Sequence, residues 1–393
     1  MSHAHAPSDL YLVGWGHTRF GRHESTLEEL IAEASTEALT GSGIEPTDID
    51  AVFLGHFNSG LEPLAFPSSL PFLALPEACG VPATRVENAC ASGSAALHQG
   101  LLAILAGAAD KVLVVGAEKM THAGPDAVGA ALLGASYDYA GKSSTTGFAG
   151  LFAAVATAYN DRYGDCSQTL AHIAAKNHRN GLHNPYAQLR KELDFDFCNT
   201  VSDRNPLVAA PLRRTDCSPV SDGAAAIVLS RHPVAGARTA PVKVLGFGQG
   251  SDQLPDGRRD PLAFPAVTRS WNRALDMAGV LIEDLSLIEL HDCFTIAELN
   301  LYEAIGLTGR GDGRRAVLDG LVEPVGRTPV NVSGGLKAKG HPVGATGVSQ
   351  HVMVARQLTG TAGDAQLPSA SVGAVQNMGG LAVSSYATVL SAV

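Results

Sequence analysis

SGIEPTDIDAVFLGHFN, residues 42–58, and AGVLIEDLSLIELHDCF, residues 278–294, align without a gap. Each reads as the end of a helix at a small residue and a glycine, then an acidic turn, then a short strand of buried type. Two such segments, so far apart in one chain, predict a protein built from two related halves.

The flanking sequence keeps the pairing. LVGWG (12–16) is echoed by VLGFG (244–248), each a short apolar strand closing on glycines. STLEELIAEASTEAL (25–39) carries a Ser25/Glu28 capping box and apolar residues at Leu27, Leu30, Ile31, Ala34 and Ala38, a helical spacing repeated by Val267, Trp271, Ala274, Leu275 and Ala278. CASGSAALHQGLLAILAG (90–107) matches GATGVSQHVMVARQLTG (344–360), a Gly-rich turn feeding a helix, and AAAIVLS (224–230) matches YATVLS (386–391) as a closing strand. Two copies of strand, helix, strand, helix, strand imply two sheets with helices between and outside them, a layered α/β fold with pseudo-twofold symmetry. Ends of corresponding helices should meet at the axis. The halves are residues 1–119 with 215–235, and 240–393. Residues 120–214 have no counterpart and no sustained strand pattern, so they are expected to form an inserted lid or loop region.

Composition narrows the function classes. The chain has 393 residues, 45% apolar and 17% charged, with 43 glycines. A net charge of -10 lacks the basic excess that nucleic acid or an anionic membrane surface would require. The start, MSHAHAPSDL, has no basic and apolar leader pattern, and no run of 18 apolar residues occurs, so a cytoplasmic protein is expected. Six cysteines without a CxxC pair fit a reducing compartment better than a disulfide framework.

Cys90 lies just ahead of a helix start, where unpaired N–H groups and the helix dipole favour a thiolate, and small residues 91–94 leave room for a substrate. It reads either as a nucleophile or as an inert thiol in a helix-packing turn. His341, in NVSGGLKAKGHPVGATGVSQ, precedes the symmetry-related turn by three residues, Gly344 matching Cys90, and is a candidate base. HDCF (291–294) ends a strand whose counterpart is GHFN (55–58); His291 and Cys293 alternate with Asp292 and could share one cavity. As metal ligands, His291 and Cys293 lack two partners at sensible spacing, so no zinc site is expected.

NACASGSAA, HDCF, GGLKAKGHPVGATG and CSPVSDGAAAIVL together resemble the thiolase superfamily, and specifically the branch of the sterol carrier protein X thiolase domain. The likeness spans essentially the whole chain. It implies a five-layered thiolase-like fold, coenzyme A thioester chemistry with acyl-CoA and coenzyme A as substrates and no permanently bound cofactor, an inserted loop domain shaping the pocket, and a homodimer or dimer of dimers. It implies that Cys90 takes the acyl group, His341 accepts its proton, Cys293 is the second acid/base and His291 helps hold the enolate oxygen. The N–H groups of Cys90 and of a residue near Gly379 would form the oxyanion hole. Most thiolases carry their second catalytic cysteine in a C-terminal Cys-x-Gly motif; SVGAVQNMGG has none, and Cys293 supplies the replacement.

The implied activity is cleavage of 3-ketoacyl-CoA by coenzyme A, or the reverse Claisen condensation. A related condensing or retro-aldol enzyme, and a non-catalytic acyl-CoA-binding subunit, are the alternatives. Phosphates of coenzyme A need a basic patch, for which the candidates are Arg213 with Arg214, Arg258 with Arg259, and Lys337 with Lys339. His98, His122, His172, His178 and His183 are expected in plain surface or core roles.

Overall fold

A computed structural model describes residues 10–393. The first half runs β1 (Tyr11–His17), α1 (Leu27–Ser42), β2 (Ala51–Gly55), the single turn α2 (Pro71–Ala74), β3 (Ala83–Val86), α3 (Ser92–Leu105) and β4 (Lys111–Glu118). Next come α4 (Pro125–Leu133), α5 (Gly147–Tyr163), α6 (Ser167–Gly181), α7 (Phe195–Asn199) and the short ladder of β5 (Leu207–Ala209) with β6 (Leu212–Arg213). These lead to the closing strand β7 (Gly223–Ser230). The second half runs β8 (Val242–Ser251), α8 (Pro265–Ala278), β9 (Leu287–Glu289), α9 (Thr295–Ala304), α10 (Gly313–Leu318), α11 (Gly335–Lys339), α12 (Thr346–Leu358), β10 (Val372–Gly379) and β11 (Ser384–Ala392). No helix among the described residues is long and apolar enough to cross a membrane.

The repeat explains its own glycines. Gly14 and Gly16 of β1 lie under α1, where a Cβ would collide with the carbonyl oxygens of Ala38 and Ala34. Gly246 and Gly248 of β8 lie under α8 in the same way, against the carbonyls of Ala274 and Ser270. Each helix thus seats its apolar stripe directly on strand backbone. The capping box of α1 sits one residue later than the spacing predicts: Thr26 Oγ1 accepts from Glu29 N–H at 3.2 Å, and Thr26 N–H donates to Glu29 Oε2 at 2.9 Å. Both registers offer a hydroxyl three residues before a glutamate; only Leu27 as the first helical residue also places Leu27, Leu30, Ile31 and Ala34 inward.

The strands join into one nine-stranded sheet, in the order β3-β2-β4-β7-β1-β8-β11-β10-β9, rather than two separate sheets. Read outward from the middle, β1-β7-β4-β2 corresponds to β8-β11-β10-β9, the signature of the duplication, with β3 added at one outer edge. The two halves of the sheet are joined by strand pairing of Tyr11 with Lys243 and Leu12 with Val242, because β1 and β8 are the edges each half leaves open. α1 and α8 cover the outer faces, while α3 and α12 pack together between the halves, giving the five-layered arrangement. α12 buries every residue except Arg356. Where α3 and α12 cross, a Cβ on Gly93 would lie 2.7 Å from Gly344 O, and one on Gly347 would collide with Ser94 N. The helix starts therefore meet at the axis, and only glycine permits the approach.

Residues 120–214 differ from the expected loop: α5 and α6 contribute 17 and 15 helical residues, and α6 packs against α9 and α11 of the second half. Ala-rich apolar faces, not turn chemistry, govern this stretch. In the second half, residues 380–383 alone join the corresponding strands β10 and β11.

Candidate active site

Cys90 sits on a sharp turn between β3 and α3. Ala89 adopts a left-handed φ of 49°, a conformation that costs a non-glycine residue about 1 kcal/mol or more. Ser92 holds it there, accepting from Asn88 N–H at 2.8 Å and donating to Ala89 O at 2.6 Å. His341 leaves α11 on an equally constrained path: its N–H donates to Ser221 Oγ at 2.9 Å, and Val220 bridges to it in parallel.

The fold brings the predicted residues together. Cys90 Sγ and one ring nitrogen each of His291 and His341 all lie within 4.8 Å of one another, and all three side chains are buried. The two imidazoles meet edge to face with centroids 5.1 Å apart. Cys293 lines the same small cavity, of about 80 Å³, with Cys90, His341 and the apolar side chains of Met120, Phe148, Phe294 and Val343.

Hydrogen bonds assign different tautomers to the two histidines. Thr346 Oγ1 gives its single proton to Pro342 O at 2.9 Å, so it accepts from His341 Nδ1, 2.6 Å away. The proton is on Nδ1, and Nε2 is free to accept another. In His291, Nδ1 instead accepts from Asn377 Nδ2 at 2.8 Å, and the same amide donates to Cys90 O at 3.2 Å. Its proton is therefore on Nε2, a donor.

Electrostatics correct one expectation. Burial, with a further push from the Glu118 carboxylate, raises the Cys90 thiol to about 12 despite hydrogen bonds from backbone N–H groups. A helix start offers partial charges only, and these do not offset removal of the sulfur from water. Burial likewise drives His341 down to about 3 and His291 well below its ordinary value, and holds Cys293 well above the usual thiol range. The resting site is an uncharged pair of thiols and imidazoles; no thiolate is stored in it.

The backbone donors aimed at Cys90 Sγ are its own N–H and that of Gly380, one position beyond Gly379. The close approach is through Gly379, where a Cβ would collide with Asn88 O, while Gly380 adopts a left-handed φ of 62°.

Four contributors escaped the sequence reading. Glu118, fully buried at the end of β4, accepts from Phe57 N–H at 2.9 Å, Asn58 N–H at 3.0 Å and Gly344 N–H at 2.9 Å, tying the Cys90 side of the site to the His341 turn. A glutamate closing the apolar run VLVVGAE was its available signal. Asn377, Thr346 and Gly380 carried none, since an amide, a hydroxyl and a glycine are common in any turn. Asp292 faces away from the cavity, accepting from Leu336 N–H at 2.6 Å and Asn177 Nδ2 at 2.8 Å.

Of the basic pairs, Arg214 and Lys337 line a cleft of about 630 Å³, with Lys191 and Arg204, that shares Ser218 and Pro219 with the cavity. The other members are committed elsewhere or lie apart from it. Arg213 pairs with Asp216 at 3.0 Å, Arg259 with Asp252 and Asp256, and Lys339 donates to Ser349 Oγ at 2.8 Å from a fully buried position. Arg258 does not line the cleft. Among the bystander histidines, His98 bonds Thr388 Oγ1 at 3.0 Å, His178 bonds Lys191 O at 3.1 Å, His122 lies 3.2 Å from Leu61 O and His172 stacks on Phe195; His183 is exposed.

Two family models match the chain, the thiolase N-terminal domain over residues 10–232 and the thiolase C-terminal domain-like model over residues 248–392. An acetyl-CoA acetyltransferase of Methanothermobacter thermautotrophicus is 36% identical over 95% of this chain and 96% of its own length. Human sterol carrier protein 2 is 30% identical over 94% of this chain and 70% of its own length. Among solved structures, an Ltp2-ChsH2(DUF35) aldolase superposes with a TM-score of 0.82 at 21% identity, over 100% of this chain and 99% of that one, a likeness of fold.

Proposed function

The chain belongs to the thiolase family, and we propose that it is an acyl-CoA:acetyl-CoA C-acyltransferase working through an acyl-Cys90 intermediate. The observation that carries this reading is the meeting of Cys90 with a histidine whose only free nitrogen is a proton acceptor. The acetyl-CoA acetyltransferase likeness supports the same reaction class.

In the degradative direction, Cys90 Sγ attacks the 3-keto carbon as its proton passes to His341 Nε2. Because both groups are neutral at rest, the thiolate forms as the new bond forms. The developing oxyanion accepts from the Cys90 and Gly380 N–H groups. The bond between C2 and C3 then breaks, its electron pair passing to the acetyl-CoA enolate. The enolate oxygen accepts from His291 Nε2–H, and Cys293, kept as a thiol by burial, delivers its proton to carbon. Coenzyme A finally attacks acyl-Cys90: its thiol proton passes to the Cys293 thiolate, the bond from the acyl carbon to Cys90 Sγ breaks, and the leaving sulfur takes back the proton held on His341 Nε2. Condensation is the reverse.

The small apolar cavity suits a short acyl group, and the basic cleft leading from it suits the phosphates of coenzyme A near Lys191, Arg204, Arg214 and Lys337. Homodimer assembly belongs to the same reading, supported by the open outer edge of β3 and by exposed Phe66 and Leu73 beside it.

The test is loss of acetoacetyl-CoA enolate absorbance on adding protein and free coenzyme A. Turnover abolished by Cys90→Ala supports the proposal. Coenzyme A binding without turnover, or turnover that survives Cys90→Ala, refutes it.

A further inference from the structure

Residues that the sequence alone could not unite as metal ligands are united by the fold. Cys90 Sγ and a nitrogen from each of His291 and His341 lie mutually within 4.8 Å, and Cys90 and His341 line a cavity with Cys293. Donors around one tetrahedral zinc ion stand about 3.3–3.8 Å apart, so movements of about 1 Å would close this trio on a single ion. Thiolate and imidazole are the borderline-soft donors that such an ion selects over magnesium or calcium.

We propose that this pocket is a reversible, inhibitory binding site for Zn²⁺, ligated by Cys90 Sγ, His291 Nε2 and His341 Nε2. The surroundings already resemble a metal site. His341 Nδ1–H donates to Thr346 Oγ1, the outer bond that orients a metal-bound imidazole and leaves Nε2 unprotonated. His291 requires its proton on Nδ1 instead, and the partner for that state is at hand. Asn377 is fully buried and its Oδ1 has no hydrogen-bond partner, so turning the amide presents an acceptor to Nδ1–H. Binding forms a zinc–sulfur bond, and the thiol proton leaves to solvent; nothing is oxidised. The Glu118 carboxylate, which acts on Cys90, offsets part of the added charge. The ion occupies the atoms that an acyl group needs, so inhibition is competitive with acyl-CoA.

Affinity for Zn²⁺ is measured by competition with a chromophoric chelator, and Co²⁺ is used as a spectroscopic substitute. The wild-type protein should retain one equivalent of Zn²⁺ and show a thiolate-to-cobalt charge-transfer band. Cys90→Ser and His341→Gln should each weaken Zn²⁺ by about 100-fold or more, since even outer-shell losses cost 10- to 100-fold. Asn377→Asp, a permanent acceptor for His291 Nδ1–H, should tighten Zn²⁺ about tenfold while slowing turnover. Absence of stoichiometric Zn²⁺, or equal affinity in wild type and both ligand variants, overturns the site. No tightening in Asn377→Asp overturns His291 as a ligand. Should Cys90→Ser fail to fold, the wild-type Co²⁺ spectrum decides whether the sulfur is bound.

Discussion

Replacing Thr346 by valine should disable His341 without removing any reacting group. The hydroxyl at this position accepts from Nδ1 at 2.6 Å and donates to Pro342 O at 2.9 Å. Pro342 O keeps the N–H groups of Ala345 and Thr346, each at 3.0 Å, so its loss is compensated. Nδ1–H is the one group left orphaned, in a buried site. A buried donor without a partner costs ~1–3 kcal/mol, and the missing bond would have strengthened as the imidazole took the Cys90 proton. The neutral ring also gains access to the Nε2–H tautomer, which cannot act as a base. Single-turnover acylation of Cys90 by acetyl-CoA, followed by mass spectrometry, should therefore slow by roughly 5- to 150-fold with little change in KM. Thr346→Ser, which keeps the hydroxyl, should stay near the wild-type rate. ¹⁵N shifts of the His341 ring would report the tautomer directly. Acylation by Thr346→Val at the wild-type rate would refute the assignment of His341 Nε2 as the base.

Cys293→Ala should still acquire an acetyl group from acetyl-CoA while condensation falls about 10²- to 10⁴-fold; equal loss or equal survival of both half-reactions would make Cys293 a packing residue. Arg214→Ala should raise KM for coenzyme A roughly threefold to tenfold at unchanged kcat and leave a thioester lacking the nucleotide unaffected; an equal effect on both substrates would remove the phosphate contact. Acid should unfold the protein early. His98, His178 and His341 are lowered from 6.5 to about 3 and His351 to about 4, so the unfolded chain binds protons there that the folded chain does not. Their contribution is complete above pH 6.5 and is lost on acidification at about 1.4 kcal/mol per unit per histidine, roughly 8 kcal/mol by pH 5. Asp292, raised from 3.8 to about 7, opposes this by roughly 3 kcal/mol between pH 7 and 5, because there the folded state holds the extra proton. A net loss of several kcal/mol, enlarged by the similarly lowered His17 and His291, should appear in denaturant midpoints; midpoints unchanged between pH 7 and 5 would contradict the burial argument.

The duplication and one strand, helix, strand, helix, strand series in each half were legible in residue order, as were Cys90, His291, Cys293 and His341 as candidates; β3, β4 and β10 were not. Residues 42–58 and 278–294 share a pattern of caps, turns and apolar alternation, and such patterns act over a few residues, so they survive being read one segment at a time. The helices inside the inserted segment were not legible, because α5 and α6 are held by apolar faces packed on distant partners and their local signals are weak.

Residue order alone determined that Cys90, His291, Cys293 and His341 are present on a twice-built α/β frame. Whether Cys90 rests as thiol or thiolate, and which nitrogen of each histidine carries its proton, were decided by tertiary structure alone. Protonation follows from burial and from the nearest hydrogen-bond partner. Of those partners, Asn377 lies 86 positions from His291 along the chain.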